Sequence, residues 1–201
     1  MLAVHLDLTG QTVLIVGGGT VGRRKARTLL DAGANVRLVA LEPRPADFAD
    51  ERLKWLAESF RPSHLDGVAL VVTATNPQTD AEIARLARER GLWVNAASCP
   101  EVGTVHFPAT ITRGRLVVSI ATSGVAPAFA AHLRERLEGW LPESLAVWID
   151  LLDEARKLVR ESVSDEGQRR DLAREMAALD GPALLAERGI DAVRSMLRER
   201  L

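Results

Sequence analysis

The run Thr12–Gly22, TVLIVGGGTVG, constrains the fold of this 201-residue chain more than any other segment. A short β-branched stretch feeds directly into Gly17-x-Gly19-x-x-Gly22, and a helical pattern follows. That order is what a dinucleotide-binding turn requires. Gly17 lets the chain reverse tightly out of the strand, Gly19 removes a side chain where a pyrophosphate approaches, and Gly22 lets the new helix pack closely on the sheet. The free N–H groups and dipole of the helix start would then hold the phosphates. A glycine triplet alone is also compatible with a turn that binds nothing. The strand before it and the helix running to Ala32-Gly33 favour the cofactor.

The first half alternates strands and helices, which predicts an α/β fold with a Rossmann-like parallel sheet. Strands are expected at Thr12–Val16, Asn35–Ala40, Leu53–Ala57, Leu70–Thr73 and Trp93–Ala97. Thr79 or Asp80 is the expected cap of the helix that ends at Gly91. The pattern then changes to two extended runs, Val105–Thr112 and Arg115–Ala121, around Arg113-Gly114, the signature of a hairpin. From Ser123-Gly124 onward the chain reads as helix. Its apolar stripes are Phe129/Leu133/Leu137/Trp140, Leu145/Trp148/Leu152/Ala155/Val159, Leu172/Met176/Leu179 and Ile190/Val193/Met196/Leu197. All four read as core or subunit packing. The expected organisation is a nucleotide-binding domain over 1–112, a hairpin-plus-helix dimerisation segment over 113–143 and an all-helical domain over 144–201.

Ligands of an open parallel sheet sit beyond the carboxyl ends of its strands. Here those ends carry Gly17–Gly22, Leu41-Glu42, Thr73–Asn76 and Ala97–Glu101, so one crevice should gather them. Glu42 follows the second strand and favours NAD by bonding ribose hydroxyls, whereas Arg44 could instead take a 2′-phosphate. A solvated loop glutamate is the plainer alternative. Arg23, Arg24, Lys25 and Arg27 are either a solvated helix face or a reach toward an anionic ligand. A net charge of −1 argues against a nucleic-acid coat. No histidine, cysteine or carboxylate cluster has metal-ligand spacing, so no structural metal site is expected. His106 falls on the expected hairpin as a packing or surface residue. Cys99, the single cysteine, implies a reducing, cytoplasmic setting and is expected to be buried and inert. No leader and no bilayer-spanning run is expected.

Four segments carry a family resemblance: VGGGTVGRRKARTLLDAGA from Val16, VVTATN from Val71, VNAASCPEVGTVHFPATITRG from Val94, and LVVSIATSGVAPAFAAHLRERLE from Leu116. Together the chain resembles the precorrin-2 dehydrogenase/sirohydrochlorin ferrochelatase family, the siroheme-making module found alone or fused ahead of a methyltransferase. The resemblance implies NAD-dependent oxidation of precorrin-2 to sirohydrochlorin by a homodimer. In bifunctional members ferrous iron insertion to siroheme follows. It also implies cofactor contacts at Thr20, Val21, Leu41 and Glu42, with Thr75 and Asn76 near the nicotinamide. Thr122 and Ser123 would edge a tetrapyrrole pocket, where basic side chains suit a substrate fringed with carboxylates.

One departure stands out. The family usually reads Asn-x-x-Asp where this chain reads Asn95-Ala96-Ala97-Ser98, and that aspartate is thought to accept protons. A neutral serine hydroxyl is a poor base without an activator. Either Glu101 or water takes over, or activity is reduced. The alternative function is therefore a catalytically impaired regulatory protein that binds NAD or a tetrapyrrole.

Overall fold

The computed structural model describes residues 2–200. They fall into two compact units, one ending at Phe107 and one beginning at Pro108. In the first unit, five parallel strands lie in the order β3-β2-β1-β4-β5. These are β1 (Thr12–Val16), β2 (Asn35–Ala40), β3 (Leu53–Ala57), β4 (Leu70–Thr73) and β5 (Trp93–Ala96). β1 pairs with β2 on one side and β4 on the other, so the winding direction reverses at the carboxyl end of β1. That reversal opens a crevice where ligands of such sheets bind.

Both faces of the sheet are covered, as continuous apolar strands require. Helix α1 (Thr20–Asp31) sends Ala26, Leu29 and Leu30 onto Val13, Ile15, Leu38 and Val72. Helix α2 (Pro77–Glu89) sends Ile83, Ala84 and Ala87 onto Leu14, Val16, Val71 and Val94. Residues alternate between these two cores along each strand because successive side chains point to opposite faces. Gly33, at φ +82°, ends α1 in the left-handed conformation expected of it.

Two expectations fail locally. The cap of α2 is neither Thr79 nor Asp80: Asn76 Oδ1 accepts from the Thr79 N–H at 3.0 Å, with Pro77 in the first turn. Asp80 is turned inward and fully buried. The hairpin also begins later than Val105. Its strands are β6 (Ala109–Arg113) and β7 (Leu116–Ile120), antiparallel and joined through Gly114. Val105 and Phe107 instead pack on the first unit's core. The Val105 N–H donates to Val94 O at 2.9 Å, and its carbonyl accepts from the Asn95 amide at 2.8 Å. Pro108, lacking an N–H, separates the two environments. His106 accordingly lies outside the hairpin strands.

In the second unit, α3 (Pro127–Glu138) follows the hairpin, then α4 (Ser144–Ser162), α5 (Glu166–Ala177), α6 (Gly181–Arg188) and α7 (Ile190–Arg198). Trp148, Leu151, Ala155 and Val159 of α4 form a core with Met176, Val193 and Leu197. Three of the four apolar stripes thus feed an internal core. The α3 stripe does not: Phe129 and Trp140 are exposed.

Candidate functional site

The glycine turn is built by close approach. Gly17 has φ +113°, and a methyl there would strike the Ala74 carbonyl at the end of β4. A methyl on Gly22 would strike the Gly17 carbonyl oxygen. Gly19 differs, because an added Cβ meets nothing within 4 Å. No side chain caps α1 at Gly19. Open space therefore lies in front of a helix start whose N–H groups lack a side-chain acceptor. That cradle fits a dinucleotide pyrophosphate. Thr20 and Val21, the first residues of α1, are exposed beside it.

Gly18, between the first two glycines of the motif, has its own reason. A Cβ on Gly18 would come within 2.9 Å of the Trp55 ring and 2.8 Å of Ala40 Cβ. The same indole donates from Nε1 to the Glu42 carbonyl at 3.0 Å. Trp55 of β3 therefore underlies the glycine turn and fixes the loop after β2. Leu41 and Glu42 are exposed on that loop. A lone half-buried tryptophan at a strand centre carries no sequence signal for this role.

Of the four clustered cations, two are occupied. Lys25 Nζ stands 4.4 Å from the centre of the Phe107 ring, and the Arg27 guanidinium 5.1 Å from that of Phe48. Burial, with a smaller push from Arg24, holds the Lys25 ammonium below its usual range.

Thr75, next to Gly17, begins a second cluster. Its N–H and hydroxyl donate to Asp80 Oδ1 at 3.0 and 2.7 Å. From the carboxyl end of β5, the Ser98 hydroxyl and N–H donate to Asp80 Oδ2 at 2.6 and 3.2 Å. Four donors thus converge on a carboxylate with no exposed surface. A buried carboxylate needs such company, since an unpaired one costs several kcal/mol, about what the desolvation of one ion amounts to. Ser98 itself is exposed. Sequence reasoning missed Asp80, taking it for a cap candidate. Its position three residues after Pro77, in the first turn of a helix leaving the crevice, was the available signal.

Glu101 lies exposed on a short 3-10 turn, Pro100–Val102, while the carboxylate that meets Ser98 is Asp80. The bend folds tightly back on β5: a Cβ on Gly103 would stand 3.2 Å from Val94 O. Cys99 is buried, its thiol donating to Pro77 O at 3.6 Å. Thr122 and Ser123 belong to the second unit. There the Thr122 hydroxyl accepts from the Ala126 N–H at 3.1 Å, and Ser123 takes φ 53°. The first unit therefore brings Gly17, Thr75, Asn76 and Ser98 into one continuous cluster. Among the described residues, no group of three or more His, Cys, Asp or Glu could hold a metal ion, and no helix is long and apolar enough to cross a membrane.

Comparison with known proteins adds four findings. The chain is 42% identical over 170 residues to "Siroheme synthase 2" of Aeromonas hydrophila, covering 82% of this chain and 36% of that protein. It is 35% identical over 204 aligned positions to "Siroheme synthase 1" of Aeromonas salmonicida, covering all of this chain and 44% of the relative. The chain thus spans less than half the length of the curated relatives it matches. A solved structure titled "SirC, precorrin-2 dehydrogenase" superposes with a TM-score of 0.80 at 28% identity, covering 99% of this chain and 100% of that one. A family model described as "Putative NAD(P)-binding" matches residues 4–109, which contain the whole parallel sheet and its glycine turn. The chain belongs to this NAD(P)-binding family.

Proposed function

We propose that this protein is an NAD-dependent dehydrogenase that oxidises precorrin-2 to sirohydrochlorin, a step of siroheme biosynthesis. The observation that carries the reading is the end-to-end match to the solved precorrin-2 dehydrogenase. The siroheme synthase relatives support it independently. NAD, when bound, supplies a two-electron acceptor for hydride. The chain's own residues do the rest. Gly17, Gly19 and Gly22 shape the pyrophosphate cradle, with Thr20 and Val21 beside it. Leu41 and Glu42 receive the adenosine ribose, where the glutamate prefers free hydroxyls to a 2′-phosphate. Thr75 and Asn76 border the nicotinamide end.

The tetrapyrrole is assigned to a pocket edged by Thr122 and Ser123. The functional division is cofactor binding in the unit that ends at Phe107, dimerisation by the hairpin and α3, and a helical domain over 144–201, which moves the boundary expected at 112 to the near side of β6. The working unit is a homodimer, supported by the exposed apolar side chains Val125, Phe129 and Trp140 on and beside α3. The setting is cytoplasmic, in keeping with one buried free thiol. Ferrous iron enters the proposal as a second substrate. It would be gripped by the tetrapyrrole nitrogens, and its insertion requires pyrrole N–H protons to leave.

The test is incubation of the purified homodimer with precorrin-2 and NAD under anaerobic conditions. NADH absorbance with formation of sirohydrochlorin is expected. A folded protein that binds NAD yet produces neither would overturn the reading.

A further inference from the structure

We infer that Asp80, working through Ser98, is the proton acceptor of this site. The inference rests on the dehydrogenase reading above. Ser98 alone lacks the basicity to take a proton at neutral pH. It does not stand alone, because its hydroxyl donates to Asp80 Oδ2 at 2.6 Å, a length typical of charge-assisted hydroxyl–carboxylate bonds. With its hydrogen committed inward, Ser98 Oγ turns its lone pairs outward from an exposed position beyond the carboxyl end of β5. Asp80 has no exposed surface of its own. Two exposed hydroxyls reach it, Thr75 at Oδ1 and Ser98 at Oδ2, and Ser98, which makes the shorter bond and stands where the family's aspartate would, is the one assigned to meet the substrate.

The three remaining donors hold the carboxylate in place. Thr75 occupies Oδ1 twice, and the Ser98 N–H shares Oδ2. The relay is thereby tied to the loop that also touches Gly17: Thr75 Cγ2 lies 3.2 Å from where a Gly17 Cβ would be. The carboxylate thus stands one hydroxyl behind the crevice, anchored to a loop that packs against the cofactor cradle.

The step balances as follows. Oxidation removes one hydride, taken up as NADH, and one proton from the substrate. The substrate–hydrogen bond that loses the proton breaks as a new O–H bond forms on Ser98. The original Ser98 O–H bond breaks as one forms on Asp80 Oδ2. The serine ends neutral, Asp80 ends as the carboxylic acid, and the acid returns its proton to water through Ser98. The same pair can accept a pyrrole N–H proton.

The experiment compares wild type, Asp80→Asn, Ser98→Ala and the double variant Asp80→Asn/Ser98→Asp. It reads turnover against pH, KM for precorrin-2, NAD affinity by tryptophan fluorescence, and thermal unfolding. Loss of a general base costs about 100-fold or more in rate. Both single variants should lose about that much kcat, with NAD affinity and KM held within a factor of about two, and with the acid limb of the pH profile gone in Asp80→Asn. The double variant should regain at least about tenfold over Asp80→Asn, because its carboxylate then faces the crevice directly. A structural role for Asp80 predicts no such rescue. If Asp80→Asn unfolds, Ser98→Ala decides, since it leaves both Thr75 bonds intact. Wild-type turnover with an unaltered rate and profile in the folded single variants overturns the relay alone, as does a double variant no faster than Asp80→Asn. A wild type that never reduces NAD overturns both the relay and the dehydrogenase.

Discussion

Gly22 faces the carbonyl oxygen of Gly17 with no room for a methyl between them. This contact locks the start of α1 onto the end of β1, whereas Gly19, between them in sequence, faces open space. The two glycines should therefore fail in different ways. Gly22→Ala overpacks a backbone contact and should cost about 1–3 kcal/mol, read as a lower melting temperature. Gly19→Ala should leave unfolding nearly unchanged but fill the phosphate approach, weakening NAD by about tenfold, near 1.4 kcal/mol. Equal losses of stability in both variants would contradict the assignment of Gly19 to the cradle.

The loop after β2 depends on Trp55 as much as on its own residues. Trp55→Phe retains a ring beneath Gly18 but forfeits the bond to the Glu42 carbonyl. The loss of about 1 kcal/mol expected for one such bond should weaken NAD several-fold. Glu42→Ala leaves the indole contact in place and removes the carboxylate. It should lower the NAD-over-NADP preference by about tenfold, the scale of one hydrogen bond to a charged group. Isothermal titration with both dinucleotides measures each effect. An unchanged preference in Glu42→Ala would move the choice of cofactor to Arg44.

The five parallel strands were legible because each is a short β-branched run closed by turn residues, and their observed bounds agree with expectation to within a residue. The hairpin start was not. Val105 and Phe107 carry apolar side chains at alternating positions, so they read as strand, yet tertiary packing claims both for the first unit. At the site, the glycine spacing pointed to the tight strand-to-helix turn that Gly17 and Gly22 form, but Trp55 and Asp80 stayed hidden. Both act through contacts between residues far apart in sequence: 13 positions from Trp55 to Glu42 and 18 from Asp80 to Ser98. Local patterns cannot register such pairs. Capping logic misled at Asp80 because Asn76 satisfies the helix start four residues earlier, freeing the aspartate to turn inward.

Cys99 gives the alkaline side of the stability curve a defined slope. Burial pushes its thiol up, only partly offset by the Ser98 side chain, and Asp80 and Glu101 push it further. Its folded value therefore lies above the unfolded one, about 8.5. Below that pH both states hold the proton, and the contribution to stability is complete. As pH rises toward the folded value, the unfolded chain releases its proton first and stability is lost. Denaturant unfolding at a series of alkaline pH values should show a steeper decline in wild type than in Cys99→Ala. Native Cys99 should also alkylate far more slowly than the unfolded chain at the same pH. Rapid native alkylation would mean that the thiol is accessible and reactive.

Within the second unit, Gly181 abuts the indole of Trp148 so closely that an added methyl would overlap the ring. Trp148 is buried among Leu151, Met176 and Val193. Gly181→Ala must displace the tryptophan from that core and should cost about 1–3 kcal/mol. Trp148→Ala should cost about 3–5 kcal/mol by leaving a cavity. Calorimetry of both variants, beside NAD titration, separates the units. The helical transition should fall in temperature while cofactor affinity stays at the wild-type value. A parallel loss of NAD affinity would show that the helical core supports the cradle.

Val125, Phe129 and Trp140 expose 87%, 58% and 74% of their surfaces. Phe129 belongs to the one apolar stripe that finds no internal core. Single exposed apolar residues are ordinary, but three large ones on and around a single helix are the composition expected of an interaction surface. Under the homodimer proposal that surface is a second copy of the chain. A charge placed there would be buried without a partner on both sides of a two-fold interface. Phe129→Glu should therefore shift sedimentation equilibrium from dimer to monomer, while Ile190→Glu, on an exposed residue of α7 in the same unit, should leave the dimer intact. If the dimer persists unweakened in Phe129→Glu, the copies meet elsewhere and the α3 stripe serves another partner.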